Sequence, residues 1–400
     1  MTLIQLSLDR SRRPALQMSG ALPQPMLAVA GARIVLGASL DAQGLPEPLA
    51  PRPDTMFGPR GICLVGPEGP LMVTDTGHHR LLYWRTIPKH DFTPADFVIG
   101  QPDMFSEGRN GCGPVGAATL NMPTGIACDG QNLAIADAWN HRVLIWRGLP
   151  ERANQPADLV LGQRDFTGGL ANRGSSEAGA DTLNWCYGVT LAEGRLLVAD
   201  TGNRRVLIWN SLPRHNGQAA DIVLGQTDMT TRDDNASGKG GAIGMRWPHA
   251  ICVHEGRIFV ADAGNNRIMA WNALPNSDGA PCNFVLGQAG FDGLDHNRAG
   301  YYPNTRALNM PYGLTNLSGK LICADTANSR LLDYSLDTLE MDAPAAALAG
   351  QNDFTDKGDN RWQIAGRDSL CWPFGLTACG STVGVADTGN NRVLLWDVVP

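Results

Sequence analysis

Six aspartates each stand five residues before an arginine: Asp75 and Arg80, Asp137 and Arg142, Asp200 and Arg205, Asp262 and Arg267, Asp325 and Arg330, Asp387 and Arg392. A carboxylate beside a guanidinium can do acid–base chemistry, and it can equally form a charge-assisted structural bond. Repetition decides between the two. A reaction centre in a ring needs asymmetry, whereas a staple recurs, so the pairs are expected to be structural, each holding a turn against its neighbour. Chemistry is then expected where the repeat breaks. At the centre of a recurring Pro-x-Gly phrase the six residues are Arg60, Thr124, Tyr187, His249, Tyr312 and Phe374. Two residues before that proline, Arg246 and Cys371 depart from a series in which asparagine recurs as Asn121, Asn184 and Asn309. Arg60, Tyr187, Arg246, His249, Tyr312 and Phe374 together would make an aromatic, partly cationic mouth. Such a mouth suits a small anionic or aromatic ligand, or a side chain of a partner.

Other chemistries find less support. Cys186 replaces the expected proline, and Cys186 with His249 is the one cysteine–histidine pairing across neighbouring units that merits testing as a nucleophile and base. One histidine among the six mouth positions cannot supply a three-histidine zinc site, and no oxygen-rich calcium run occurs, so no metal or other cofactor is expected. His78, His79 and His141 fall in turns, where a solvated surface role is expected.

The elements that must position these residues follow from the same repeat. Val198–Asn210, reading VADTGNRRVLIWN, is an apolar run ending at Asp200, a turn cluster and a β-rich run to Trp209. The aspartates recur at steps of 62, 63, 62, 63 and 62 residues, and Trp84, Trp146, Trp209, Trp271, Tyr334 and Trp396 follow each by nine. Each unit also holds the Pro-x-Gly strand and a short run such as Leu159–Gly162 or Ile222–Gly225. That makes four strands, named a (Pro-x-Gly), b (into Asp), c (to Trp) and d. Six radial sets of four antiparallel strands predict an all-β, six-bladed β-propeller. The last unit has no d strand after Trp396, while Arg33–Gly37 matches a d strand, so the N-terminal strand is expected to complete the C-terminal blade and remove an open sheet edge. Residues 1–30 read as an extension and 31–400 as one propeller domain.

Strand alternation places the b–c turns and the long d–a connections on one face, opposite the termini. Connections of that length are usually functional or disordered. They carry a register of Asn110, Asn172, Asn235, Asn297 and Asn360, expected to order the loops as Asx-turns.

The phrase Asp-Thr-Gly-Asn-x-Arg-Val, preceded by a Pro-x-Gly-Ile strand, resembles the NHL repeat over residues 33–400, with a period longer than usual for that family. The resemblance implies the propeller fold. It leaves function open, because similar proteins include protein- and RNA-binding platforms as well as an amidating lyase and related lactonase and lyase propellers.

A net charge of −7 argues against a nucleic-acid partner, and no apolar stretch is long enough for a membrane span. Nine cysteines without a matched place in the repeat read as mostly buried thiols of a reducing compartment. Ser11–Leu16 faintly resembles a twin-arginine export signal, but the apolar segment behind it is short and broken by Pro23-Gln24-Pro25, so the cytoplasm is the expected location. The function expected from these readings is a non-catalytic scaffold that recognises a protein partner, or else a small ligand, on the long-loop face. The alternative is a channel-mouth enzyme of the propeller lyase or lactonase kind.

Overall fold

The computed structural model describes residues 23–37 and 49–399, and these form a six-bladed β-propeller of four-stranded antiparallel blades. The repeat phrase shows why. In the third blade Arg195–Asp200 pairs with Arg205–Trp209, with Leu196 opposite Trp209 and Asp200 opposite Arg205 at the closing end of the hairpin. A single turn of 3₁₀ helix, Thr201–Asn203, joins them, and Arg204 takes the left-handed conformation that reverses the chain. Val189–Ala192 and Ile222–Leu224 flank the hairpin as strands a and d.

Both faces of each blade are covered by neighbours, so the strands are apolar on both sides rather than alternating with polar residues. Successive side chains point to opposite faces. Val198, Leu207 and Trp209 pack with Val143 and Ile145 of the preceding blade. Leu197 and Ile208 pack with Val260 and Trp271 of the following one. At the axis the strands a crowd together. A Cβ on Gly188 would lie 2.0 Å from the His249 carbonyl oxygen, and one on Gly313 would lie 2.0 Å from that of Phe374, so only glycine fits there.

Ring closure uses the N-terminus. Ile34–Gly37 pairs antiparallel with Arg392–Asp397, completing the sixth blade as its d strand. The segment before it is also packed into the body. Gln24–Pro25 adds a parallel strand to the fifth blade beside Ala347–Leu348, and the Ala28 carbonyl accepts the indole N–H of Trp396 at 2.8 Å. Residues 1–22, including the twin-arginine-like run, lie outside the described residues. Among the described residues no helix is long and apolar enough to cross a membrane. All nine cysteines are free thiols.

Met26, Leu27, Ile34, Val35 and Leu36 are buried. At about 1.5–3 kcal/mol per buried apolar side chain, their removal approaches the whole stability of about 5–15 kcal/mol that a typical protein has. Deletion of residues 1–38 should therefore leave a chain that does not fold cooperatively; thermal unfolding by circular dichroism checks this, and an unchanged midpoint would refute the closure.

Candidate functional site: the channel mouth

The charged pairs sit beneath the long-loop face and hold it together. Asp200 Oδ1 accepts the backbone N–H of Asn184 at 2.7 Å, while Oδ2 accepts from Arg205 Nε at 2.8 Å and from Asn203 Nδ2 at 2.7 Å. Arg205 then donates to the carbonyls of Met229, Gly179 and Thr182 in the two adjoining loops. All six pairs have this Nε–Oδ2 contact at 2.7–2.9 Å, with side chains 0–8% exposed. The loop asparagines do not make Asx-turns of their own. Each lies in left-handed backbone and pairs through its amide with an asparagine of a b–c turn, Asn172 with Asn203 and Asn297 with Asn328, for example.

The turn histidines differ from the surface role expected of them. His78 takes the turn-asparagine place in the first blade, where it is 1% exposed and bridges Asp75 Oδ2 and the Leu49 carbonyl, both at 2.8 Å. Burial opposes its protonation, but the hydrogen bond to Asp75 and the charge of that residue outweigh it and raise the pKa. His79 and His141 use Nδ1 to accept the backbone N–H of Met122 and Trp185 in the next blade. Burial lowers the pKa of both, which keeps that nitrogen free to accept.

At the axis, the x residues of five blades meet in one ring. Tyr187, His249, Tyr312 and Phe374 form a continuous arc with centroid spacings of 4.5, 4.1 and 4.5 Å. Arg60 closes the circle. Its guanidinium lies 5.0 Å from the Phe374 centroid and 5.5 Å from that of Tyr187, and it donates to the Tyr187 hydroxyl. Thr124 is turned away and donates to the Tyr187 carbonyl at 2.8 Å. Above this floor opens a cup of about 420 Å³ whose wall adds Trp185, Trp247 and Trp372. That volume suits a small molecule.

The electrostatics of the cup are one-sided. Among the described residues no carboxylate pairs with Arg60, although several other half-buried arginines of the loop face, such as Arg173 and Arg298, have one. Tyr312 is pushed up to about 12 by burial, with a smaller contribution from Tyr187, so it stays a neutral phenol. Burial, aided by the Arg60 charge, takes His249 down to about 4. Its Nδ1 lies 2.8 Å from the Trp247 carbonyl, which only accepts, so Nδ1 carries the proton and Nε2 is a bare acceptor. Arg246, expected in the mouth, is outside it: its side chain is 45% exposed, lies over the Trp247 ring and faces Asp234 at 3.7 Å. Cys186 does not serve as a nucleophile either. It is fully buried, donates to the Arg142 carbonyl at 3.2 Å, and burial pushes its thiol well above the ordinary value. Among the described residues no three histidine, cysteine or acidic side chains are placed to hold a metal ion. One imidazole beside a guanidinium does not fit a divalent cation.

Two series escaped the sequence reading although both keep the period. Gln101, Gln163, Gln226, Gln288 and Gln351 follow the d-strand glycines and donate to carbonyls of the turn and loop beside them. The residue just before strand a, which includes the three cup tryptophans, was the other. Aligning the six copies at that column would have exposed it.

The chain is thus a six-bladed propeller with a small-molecule-sized, cationic aromatic cup on its long-loop face. No protein-family model and no curated protein matches it. Solved structures do. A gluconolactonase from Xanthomonas campestris is 12% identical, with 95% of this chain and all of that chain covered at a TM-score of 0.47. The virginiamycin B lyase from Staphylococcus aureus is 10% identical over 86% of this chain and 96% of that one, at 0.41. A streptogramin B lyase is 12% identical over 95% and 98%, at 0.44. Likeness at this level shows the fold alone.

The expectation of a non-catalytic scaffold for a protein partner is corrected. On this chain the long loops are bound down by the arginines, and what they surround is a small-molecule cup. Two outcomes follow from the site. In folded protein, iodoacetamide should label exposed Cys112 and leave Cys186 unmodified, as read by peptide mass spectrometry. His249, with its pKa depressed from 6.5 to about 4, contributes stability that is complete above pH 6.5 and lost as pH falls through about 4. A shift of that size is worth about 3 kcal/mol. His79 and His141 act in the same direction and His78 in the opposite one. His249→Phe should flatten the stability–pH curve across that window in chemical denaturation.

Proposed function

We propose that this propeller is an enzyme acting on a small carboxylate or lactone at the channel mouth, of the propeller lyase or lactonase kind. One observation carries the reading: Arg60 stands in an aromatic cup without a counter-ion among the described residues, in the same ring as a neutral histidine. A guanidinium so placed holds a carboxylate, or stabilises charge as it develops on a carbonyl oxygen. The Tyr187 hydroxyl, which accepts from Arg60, keeps its own proton to donate to the same oxygen. His249 Nε2 is free to take a proton from an activated carbon or from a water attacking a lactone. At neutral pH this imidazole is always in its basic form, and its low pKa makes it a gentle base. The six Asp–Arg copies with Pro-x-Gly strands support placing the chain among NHL-type propellers.

The test is turnover on a panel of lactones and β-substituted carboxylates, without added metal. Arg60→Gln should lower kcat/KM at least 100-fold, the scale of losing one charged stabiliser. His249→Asn should lower kcat more than it raises KM. Wild-type kcat should fall as pH drops through about 4. Turnover indifferent to both substitutions would refute the assignment.

A further inference from the structure

The residue immediately before the Pro-x-Gly phrase, or before Cys186 where that replaces the proline, is left-handed in all six blades: φ is 57° at Gly58, 52° at Met122, 53° at Trp185, 59° at Trp247, 53° at Met310 and 50° at Trp372. The conformation belongs to the repeat. In five of the six the backbone N–H donates to a side chain in the turn of the preceding blade, as in Gly58 to Asn391 Oδ1 at 2.8 Å and Met310 to Asn266 Oδ1 at 2.9 Å. Glycine and asparagine adopt this region readily, and bulky side chains do not. The backbone therefore asks for glycine six times, and the first blade alone supplies it.

Tryptophan fills the position three times, and these tryptophans differ from those of the blades. Trp84, Trp146, Trp209, Trp271 and Trp396 each donate the indole N–H to a carbonyl at 2.8–3.0 Å. Among the described residues the indole N–H of Trp185, Trp247 and Trp372 has no partner, and these residues are 37–39% exposed on the wall of the cup. Strain and half-exposure at one spot mark side chains kept for something other than packing. The opening in the rim is equally specific. A Cβ at Gly58 would meet only Thr388 Cγ2 at 3.9 Å, so space permits a side chain there. Its absence leaves the approach to Arg60 clear.

We infer that Trp185, Trp247 and Trp372 are specificity-determining residues that clamp a flat aromatic carboxylate or aromatic lactone, with its carboxylate or carbonyl oxygen on Arg60. This rests on the small-molecule reading of the cup and narrows it. Indole walls over an aromatic floor reward stacking. A polyhydroxylated ligand is less well served, because its buried hydroxyls need acceptors as well as donors: the cup offers a guanidinium, indole N–H groups and hydroxyls, but His249 Nε2 as its bare nitrogen acceptor and no side-chain carboxylate or amide.

The experiment titrates full-length protein with 1-naphthoate, cyclohexanecarboxylate, 1-naphthylmethanol and gluconate, by calorimetry and tryptophan fluorescence. Naphthoate should bind at least about tenfold more tightly than the other three, the scale of one good stacking contact. The triple variant Trp185→Leu, Trp247→Leu, Trp372→Leu should lose that advantage and keep the cyclohexanecarboxylate affinity within about threefold. The single variants serve if the triple does not fold. Arg60→Gln should weaken both ring carboxylates and leave naphthylmethanol unchanged. Equal binding of naphthoate and cyclohexanecarboxylate by the wild type overturns the clamp while the anion site stands. Binding of no probe, or binding of carboxylates that ignores Arg60→Gln, overturns the underlying reading as well.

Discussion

The buried Asp–Arg pair is the constraint on which the rest depends. Taking two charges out of water is costly, and a buried pair is tolerable only when its remaining hydrogen-bonding capacity is filled. Here it is filled by the working face itself. Each aspartate accepts a backbone N–H from the residue before the rim position, and the arginines donate to carbonyls in the adjoining loops, in both of them for all but Arg392 among the described residues. A loop that moved away would strand a buried guanidinium. The long connections are therefore part of the fold, and the rim they carry is held where the ring residues can reach one another.

A symmetric frame then permits an asymmetric site. Six equivalent backbone positions point at the axis and six more line its rim, and the frame does not care which side chains occupy them so long as glycine follows at the crowded step. One cation, one neutral imidazole, three other aromatic rings and three tryptophans take eight of the twelve places, and Thr124, Gly58, Met122 and Met310 take the rest. Their pKa values follow from the enclosure: away from water, the imidazole next to Arg60 loses its proton and the phenol keeps its own. The same enclosure strengthens the pull of Arg60 on any anion that displaces water from the cup.

Much of this was legible in the residues. The Asp–Arg period revealed six units, and the orphan Arg33–Gly37 run pointed to closure, because strand patterning and turn chemistry are local and recur in register. Five of the six proposed mouth residues, Arg60, Tyr187, His249, Tyr312 and Phe374, meet at the ring for the same reason. Arg246 did not join them, since its column faces outward toward Asp234. The histidines of the turns were misread because a turn looks solvated in sequence, whereas the next blade covers it. Cys186 looked like a nucleophile by substitution in a motif; burial against the Arg142 carbonyl disqualifies it.

The sequence by itself determined the number of blades, their strand order, the closing strand and the columns that approach the axis, because each is a periodic property of the backbone. Only the tertiary structure decided what those columns do together. Arg60 reaches Tyr187 across 127 positions of chain, and the conformation that turns three tryptophans into the rim is a backbone angle rather than a residue pattern. Contacts among the side chains at the axis carry no periodic signature of their own, so their chemistry exists only once the ring has closed.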